Sequence, residues 1–287
     1  MSGGRRRGGD ILLLLLPALT FVAAVFIFPF FYGLLLSFSG KNGGLTTANY
    51  VKFFTDPWEL RTIWVTLGIA MPVTIVSTAL AIPMAYYLRH GPRYEKLVTF
   101  FLIMPTTLGM VLVAEGMLTF LGPNGWLNQL LVAVGIVKEP LQMTHNYTGV
   151  VTSLFLQNFP MGFLLLLGYI SGISPDLEKA SRMLGASRTQ TFWRVLFPLM
   201  TPGIAIAFCI NFTASFSVFP SAIMLGAPSG PTRVMAYAAY QWSYEKFNQN
   251  FGSTISIMMV VVQLAIVGAV LAWRQRLYRG ASMVGKG

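Results

Sequence analysis

Ser174-Pro-Asp-Leu-Glu-Lys-Ala-Ser-Arg-Met-Leu-Gly-Ala-Ser-Arg-Thr-Gln-Thr-Phe-Trp-Arg-Val-Leu-Phe-Pro198 is a polar stretch between two long apolar runs, and it reads as two short helices joined at a glycine. Ser174 can cap the first helix, Pro175 suits its first position, and Asp176 and Glu178 favour the positive end of the helix dipole. Gly185 supplies the left-handed residue that stops it. Ser187 and Gln190 stand at capping-box spacing for a second helix, expected to end before Pro198 where the chain turns back into an apolar run. Leu177, Ala180 and Leu184 form an apolar stripe on the first helix, and Phe192, Val195 and Leu196 one on the second. By itself such a pair fits a helix lying on a membrane surface as well as a segment that docks on a partner.

The flanks carry the fold class. The apolar runs on either side, 147–173 and 199–225, have four counterparts at 11–38, 62–88, 97–121 and 252–273. A bilayer core about 30 Å thick needs roughly 20 apolar residues per spanning helix, and all six are long enough. The expected architecture is an all-α polytopic membrane protein: six transmembrane helices in one domain over residues 1–287, with 174–198 as the connector between spans four and five. Of the residues, 55% are hydrophobic and 10% charged, whereas soluble domains average roughly 25% charged. That composition argues against a water-soluble fold. The first run is much longer than the apolar core of a signal peptide, so it reads as a retained helix.

Lysine and arginine set the expected orientation, because short cytoplasmic connectors are rich in them. Arg5 to Arg7, Arg89, Arg93, Lys96, Lys179, Arg182, Arg188, Arg194, Arg274, Arg276, Arg279 and Lys286 fall on one side. Lys41, Lys52, Arg61, Lys138, Arg233 and Lys246 fall on the other. Fourteen against six predicts that both termini are cytoplasmic. The net charge of +11 is spread along these connectors, not gathered on one segment as a nucleic-acid footprint requires, so no nucleic-acid partner is expected.

Cys209 is the only cysteine, so no intrachain disulfide forms. His90 and His145 lie in separate connectors with no second ligand at metal spacing, and no metal site is expected. Pro29, Pro72, Pro83, Pro105, Pro160 and Pro220 fall within spans, where each removes a backbone donor and favours a kink. Packing geometry and a moving hinge both remain open as their role. Gly168 and Gly172 are spaced for a close helix contact in span four.

The segment 174–198 resembles the cytoplasmic motif of binding-protein-dependent ATP-binding-cassette permeases: Glu-Ala-Ala, three residues, Gly, nine residues, Ile, one residue, Leu-Pro. Ala180, Gly185 and Pro198 match outright. Ser181, Val195 and Phe197 are small-for-small or apolar-for-apolar replacements, and Lys179 stands where the family has glutamate. Glu178 is one position away, but neighbouring helix positions point about 100° apart, so it does not substitute for that glutamate. The span count and the Gly122-Pro-Asn-Gly125 turn after span three extend the resemblance over the chain, nearest to the polyamine-type group.

The resemblance implies an importer subunit whose coupling residues are Leu177, Glu178, Lys179, Ala180, Ser181, Leu184, Gly185, Ala186 and Pro198. It further implies an ATPase dimer docked on them, a second permease subunit that in the polyamine type is a different chain, and a periplasmic solute-binding protein. No Gly-x-x-x-x-Gly-Lys-Ser/Thr loop occurs, so ATP is expected on the partner chain, with no cofactor on this one; without a His-Glu-x-x-His run, paired aspartates or a Ser-His pair in the membrane, no enzyme is expected either. The competing class, a secondary transporter or channel, calls for intramembrane ionisable relays or inverted repeats. Only Glu115 is clearly charged inside a span. It is a candidate for the solute path, favouring a cation, with Gln157, Asn158, Asn211 and Ser215 as polar companions. A structural carboxylate that pairs with a neighbouring subunit or reaches interfacial water, and a protonated carboxyl facing lipid, are the other readings.

Overall fold

A computed structural model describes residues 15–40, 44–91 and 94–282, with side chains through 275. Residues 11–14 of the expected first span lie outside the described residues, as do Arg5 to Arg7, Lys41, Arg93 and Lys286 of the charge pattern. Among the described residues, five helices are long and apolar enough to cross a membrane: α1 (Leu15–Ser37), α3 (Pro57–Leu88), α7 (Tyr147–Ser171), α9 (Arg188–Phe216) and the apolar part, Gln249–Gln275, of α12 (Gln249–Ser282). Counting one bent pair as a single span gives six. The shorter helices are α2 (Ala48–Thr55), α4 (Glu95–Thr107), α5 (Met110–Leu121), α6 (Trp126–Ala133), α8 (Asp176–Met183), α10 (Pro220–Met224) and α11 (Met235–Tyr240). Among the described residues there is no strand, only one isolated bridge between Ser39 and Leu45.

Span three departs from the expected single helix over 97–121. Glu95–Thr107 and the following Met110–Ala133 segment meet at 102°. Gly109 sits at φ +76, a left-handed conformation that no α-helix passes through, and Pro105 just upstream lacks the N–H that would carry the ladder on. Span five departs as well. α9 does not stop before Pro198 but runs through it, and it ends at Phe216, so that 220–224 is a separate short helix. A wide π turn, Phe192–Leu196, precedes Pro198, and Phe197 N–H bonds back to the carbonyl of Phe192. The same device, Ala23–Ile27, precedes Pro29 in α1. Widening the turn re-registers the ladder just ahead of the residue that cannot donate, so the helix continues.

The chain divides into two compact units. One takes in the chain up to Leu60 together with Ala238–Met259. In it the carbonyl of Ser37 accepts from Asn49 Nδ2 and Thr254 Oγ1, both at 3.1 Å. The Ser39 carbonyl accepts from Asn49 and Asn250 at 3.1 and 3.0 Å. Side-chain donors thus satisfy carbonyls that the end of α1 would otherwise leave open. Trp242 donates its indole N–H to the buried Glu59 at 2.8 Å and lies under the ammonium groups of Lys52 and Lys246, 4.0 and 3.8 Å from its ring centre.

The second unit holds Arg61–Tyr237 and the chain from Val260. Its inner contacts are built from small residues: Ala81 and Ala85 of α3 and Ala207 of α9 pack with Phe163, Leu166 and Ile170 of α7. Lipid offers leucine no penalty, so helices in a bilayer associate through close packing more than through burial of apolar area. The expected small-residue contact falls elsewhere. Nothing approaches within 4 Å of where a Cβ on Gly168 would lie; instead Gly162 abuts the Asn211 amide, and Gly203 abuts the Tyr169 ring. At the far end of α5, Gly125 N–H closes a turn on Gly122 O at 2.9 Å. A side chain on Gly125 would run into the carbonyls of Phe120 and Thr119. Buried Asn128 fixes the loop beyond: its amide donates to Gly122 O and Leu141 O, both at 2.9 Å, and its oxygen accepts from Leu141 N at 2.8 Å.

Candidate coupling surface and solute path

The connector forms as its residue types dictate. Ser174 Oγ accepts from Asp176 N–H at 3.3 Å and opens α8. Gly185, at φ +85, ends it. Ser187 and Gln190 complete a reciprocal capping box, with Gln190 N to Ser187 Oγ at 3.2 Å and Ser187 N to Gln190 Oε1 at 2.9 Å. Ser181 and Thr191 share a hydrogen bond at 3.1 Å that ties α8 to the start of α9.

The two carboxylates of α8 have different surroundings. Asp176 is exposed and pairs with exposed Lys179 at 3.0 Å, an arrangement that contributes little in water. Glu178 is buried. Its Oε1 lies 3.1 Å from Arg89 Nη1 in an ion pair whose side chains are 7% and 2% exposed. Arg182 and His90 stand 3.6 and 3.8 Å from its other oxygen. Arg89, directly after α3, also donates through Nη2 to the carbonyl of Ile173 at 3.0 Å. One guanidinium therefore joins the ends of α3 and α7 to α8.

Leu177 and Leu184 face outward, with Met183 beside them, at 43%, 89% and 88% exposure; Lys179, Ala180, Gly185 and Pro198 are exposed too, and Ser181 and Ala186 half-buried. On one flank of α8 lies a recess of about 360 Å³ lined by Leu177, Ser181, Leu184, Ala186, Arg194 and Val195 among others. On the other lies a recess of about 630 Å³, whose walls include Tyr86, His90, Lys179, Arg182, Arg188 and Phe192. Nearby, Tyr94 donates to Tyr87 at 2.5 Å, and that bond, ahead of any burial, raises the Tyr94 pKa.

The polar residues expected along a path fall into two places. Asn158 Nδ2 donates to Ser215 Oγ at 2.7 Å, pinning α7 to α9. Gln157 donates to Ser153 and Ser221 at 2.9 Å each, and those two hydroxyls lie 3.1 Å apart. Asn211, one helical turn before Ser215 on α9, is buried against Gly162 of α7. Glu115 is not brought to this seam: Val113, Ala114, Met117 and Leu121 of α5 pack inward, and Glu115 is on the exposed face. Because α5 follows the bend at Gly109, its depth does not follow from counting along a straight span. Sequence reasoning missed Arg89 and Asn128. For Arg89 the available signal was a lone arginine ending an apolar run.

The family model described as binding-protein-dependent transport system inner membrane component matches residues 77–280. The chain belongs to this family. The permease is 27% identical over 262 residues to the spermidine/putrescine transport system permease protein PotB of Haemophilus influenzae, a match covering 86% of this chain and 90% of that one. To PotB of Escherichia coli it is 31% identical over 166 residues, 58% of this chain and 60% of the relative. The fold is that of a chain in the crystal structure of a bacterial alginate ABC transporter in complex with alginate pentasaccharide-bound periplasmic protein. There the TM-score is 0.80 at 22% identity, with 95% and 96% of the two chains covered. An inward-facing MetNI methionine ABC transporter structure shares it at TM-score 0.59 and 17% identity, over 76% of the permease and 95% of that chain. The permease is thus an inner-membrane transport component and not a member of an enzyme family.

Proposed function

We propose that the permease is one of two membrane subunits of an ATP-driven importer for a small cationic, polyamine-like solute. A periplasmic binding protein delivers the solute, the second membrane subunit is a different chain, and ATP is bound and hydrolysed on a separate ATPase pair docked at α8. The whole chain forms one transmembrane domain with cytoplasmic termini. The observation that carries the coupling role is the outward stripe of Leu177, Met183 and Leu184, held on a helix whose inner face is latched by Arg89 and Glu178. Burying one such leucine against a partner contributes about 1.5–3 kcal/mol before ordering costs. The solute class rests on the relatedness to the two PotB proteins and on Glu115, whose carboxylate stands on an outward face of an apolar helix. A charge inside a bilayer needs a partner or water, and a cationic solute in a path supplies the first.

ATPase motion reaches the membrane as a rigid-body push on α8 that switches the path between inward-facing and outward-facing states. Leu184→Asp tests this. The variant is expected to insert normally and to lose the ATPase on purification, because an aspartate in an apolar contact has no partner. Retention of the ATPase at wild-type yield with normal solute-stimulated hydrolysis would remove α8 from the interface.

A further inference from the structure

The coupling connector carries Lys179, Arg182, Arg188 and Arg194 against two carboxylates, Asp176 and Glu178. One of those carboxylates is withdrawn from the surface: Glu178 is buried against Arg89, with Arg182 and His90 around its second oxygen. The other is compensated by Lys179 at 3.0 Å. What α8 and the start of α9 present outward is an apolar ridge, Leu177, Met183 and Leu184, with cations outnumbering carboxylates beside it: Arg194 in the smaller recess, and Lys179, Arg182 and Arg188 in the larger, whose wall also holds Glu178, with Asp176 exposed next to Lys179.

We infer that the surface received by this connector is acidic: the docked ATPase subunit bears a cluster of aspartate or glutamate side chains that enter the recess beside Lys179 and Arg188. This rests on the reading of α8 as the ATPase docking helix and states the chemistry of the partner. Charge complementarity carries it, since like charges brought together at an interface are costly and opposite ones fix register and speed encounter. A recess of about 630 Å³ is far larger than one carboxylate and takes several side chains. Lys179 and the Leu177–Leu184 ridge stand on opposite flanks of the outward face of α8, about 140–160° apart around the helix. A partner that seats that whole face in a groove meets both, whereas a lipid headgroup in the recess would leave the ridge in water.

The test uses the purified complex of permease and ATPase. Carbodiimide joins an amine to a carboxylate only in direct contact, and peptide mass spectrometry is expected to find Lys179 linked to an ATPase aspartate or glutamate; Lys179→Arg removes that link. Lys179→Glu combined with Arg188→Glu, neither residue touching the Glu178 pair, is expected to lower the retained ATPase about tenfold at low salt. The loss in wild type should follow rising salt. Cross-links from Lys179 to Asp176 alone, together with wild-type retention in the double reversal, overturn the inference. A reversal that matters only in nanodiscs containing anionic lipid, and not in phosphatidylcholine, also overturns it and assigns the recess to lipid headgroups. Leu184→Asp separates the layers: if it releases the ATPase and the reversals do not, docking stands and the acidic partner falls; if it does not, the docking reading falls first.

Discussion

Arg89 Nη1 lies 3.1 Å from Glu178 Oε1, with both side chains nearly removed from solvent, so the end of α3 is fastened to α8 by a single ion pair. The pair does not have to contribute much net stability to matter. Desolvating two ions offsets most of their attraction, yet removing one partner leaves the other buried and uncompensated. The pair therefore fixes where α8 sits.

Single replacements, Arg89→Met or Glu178→Met, are expected to loosen the connector by about 3–5 kcal/mol. Hydrogen exchange over residues 174–186 reads this as lost protection. The double replacement should recover much of it, because neither charge is left behind. Additive losses in the double variant would mean the two residues act separately.

Gly185→Val is expected to disturb the turn through backbone alone. Nothing lies within 4 Å of an added Cβ, but the glycine stands at φ +85. A β-branched residue held there costs about 1–2 kcal/mol or more, and asparagine, which tolerates the left-handed region, costs less. Solute-stimulated ATP hydrolysis should rank wild type above Gly185→Asn above Gly185→Val.

Asn128→Leu is expected to lower the thermal unfolding temperature in detergent. It strips the partners from both backbone groups of Leu141, while Gly122 O keeps Gly125 N–H, and a buried polar group left unpaired costs about 1–3 kcal/mol. Asn128→Asp, which keeps the acceptor and loses the donor, should fall between.

Glu115→Gln is expected to leave stability unchanged, because the side chain is exposed and packs no core. Uptake is the readout that discriminates: selective loss for cationic solutes supports a place in the path. Unchanged affinity and rate for the native solute remove it.

Ser187→Cys in a Cys209→Ser background is expected to resist impermeant thiol reagents in intact cells and to react once the membrane is opened. Labelling from outside would invert the orientation drawn from the lysine and arginine bias.

Features set by neighbours in the chain were legible in the sequence. The capping box of Ser187 and Gln190 and the stop at Gly185 depend on residues within a turn or two and stand where their local chemistry puts them, and the apolar runs form helices, although those of spans three and five break inside the expected bounds. What depends on contact across the chain was not. Glu178 reads as a surface charge until Arg89, far away in sequence, is brought beside it. Glycine spacing in span four points to Gly168 and Gly172, whereas the contacts go to Gly162 and Gly203, because only the facing Asn211 and Tyr169 decide which glycine is needed. Asn158 and Ser215 were legible as polar residues inside apolar runs, but that they bond to each other across α7 and α9 was not. The proline at 198 looked like an end because sequence shows the missing donor but not the widened turn that accommodates it.

That turn has a consequence for how α9 carries a displacement. Each residue of an α-helix advances about 100° around the axis, and a π turn inserts roughly one residue without ending the helix. Side chains before Phe192 and after Leu196 are thus read on two different azimuths of one continuous rod. A sideways load applied near Arg188 is delivered to the Asn211 and Ser215 level in a different compass direction from the one an unbroken helix would give. Removing a single residue between 192 and 196 would keep the rod and its length nearly intact while swinging one end's side chains past the other's.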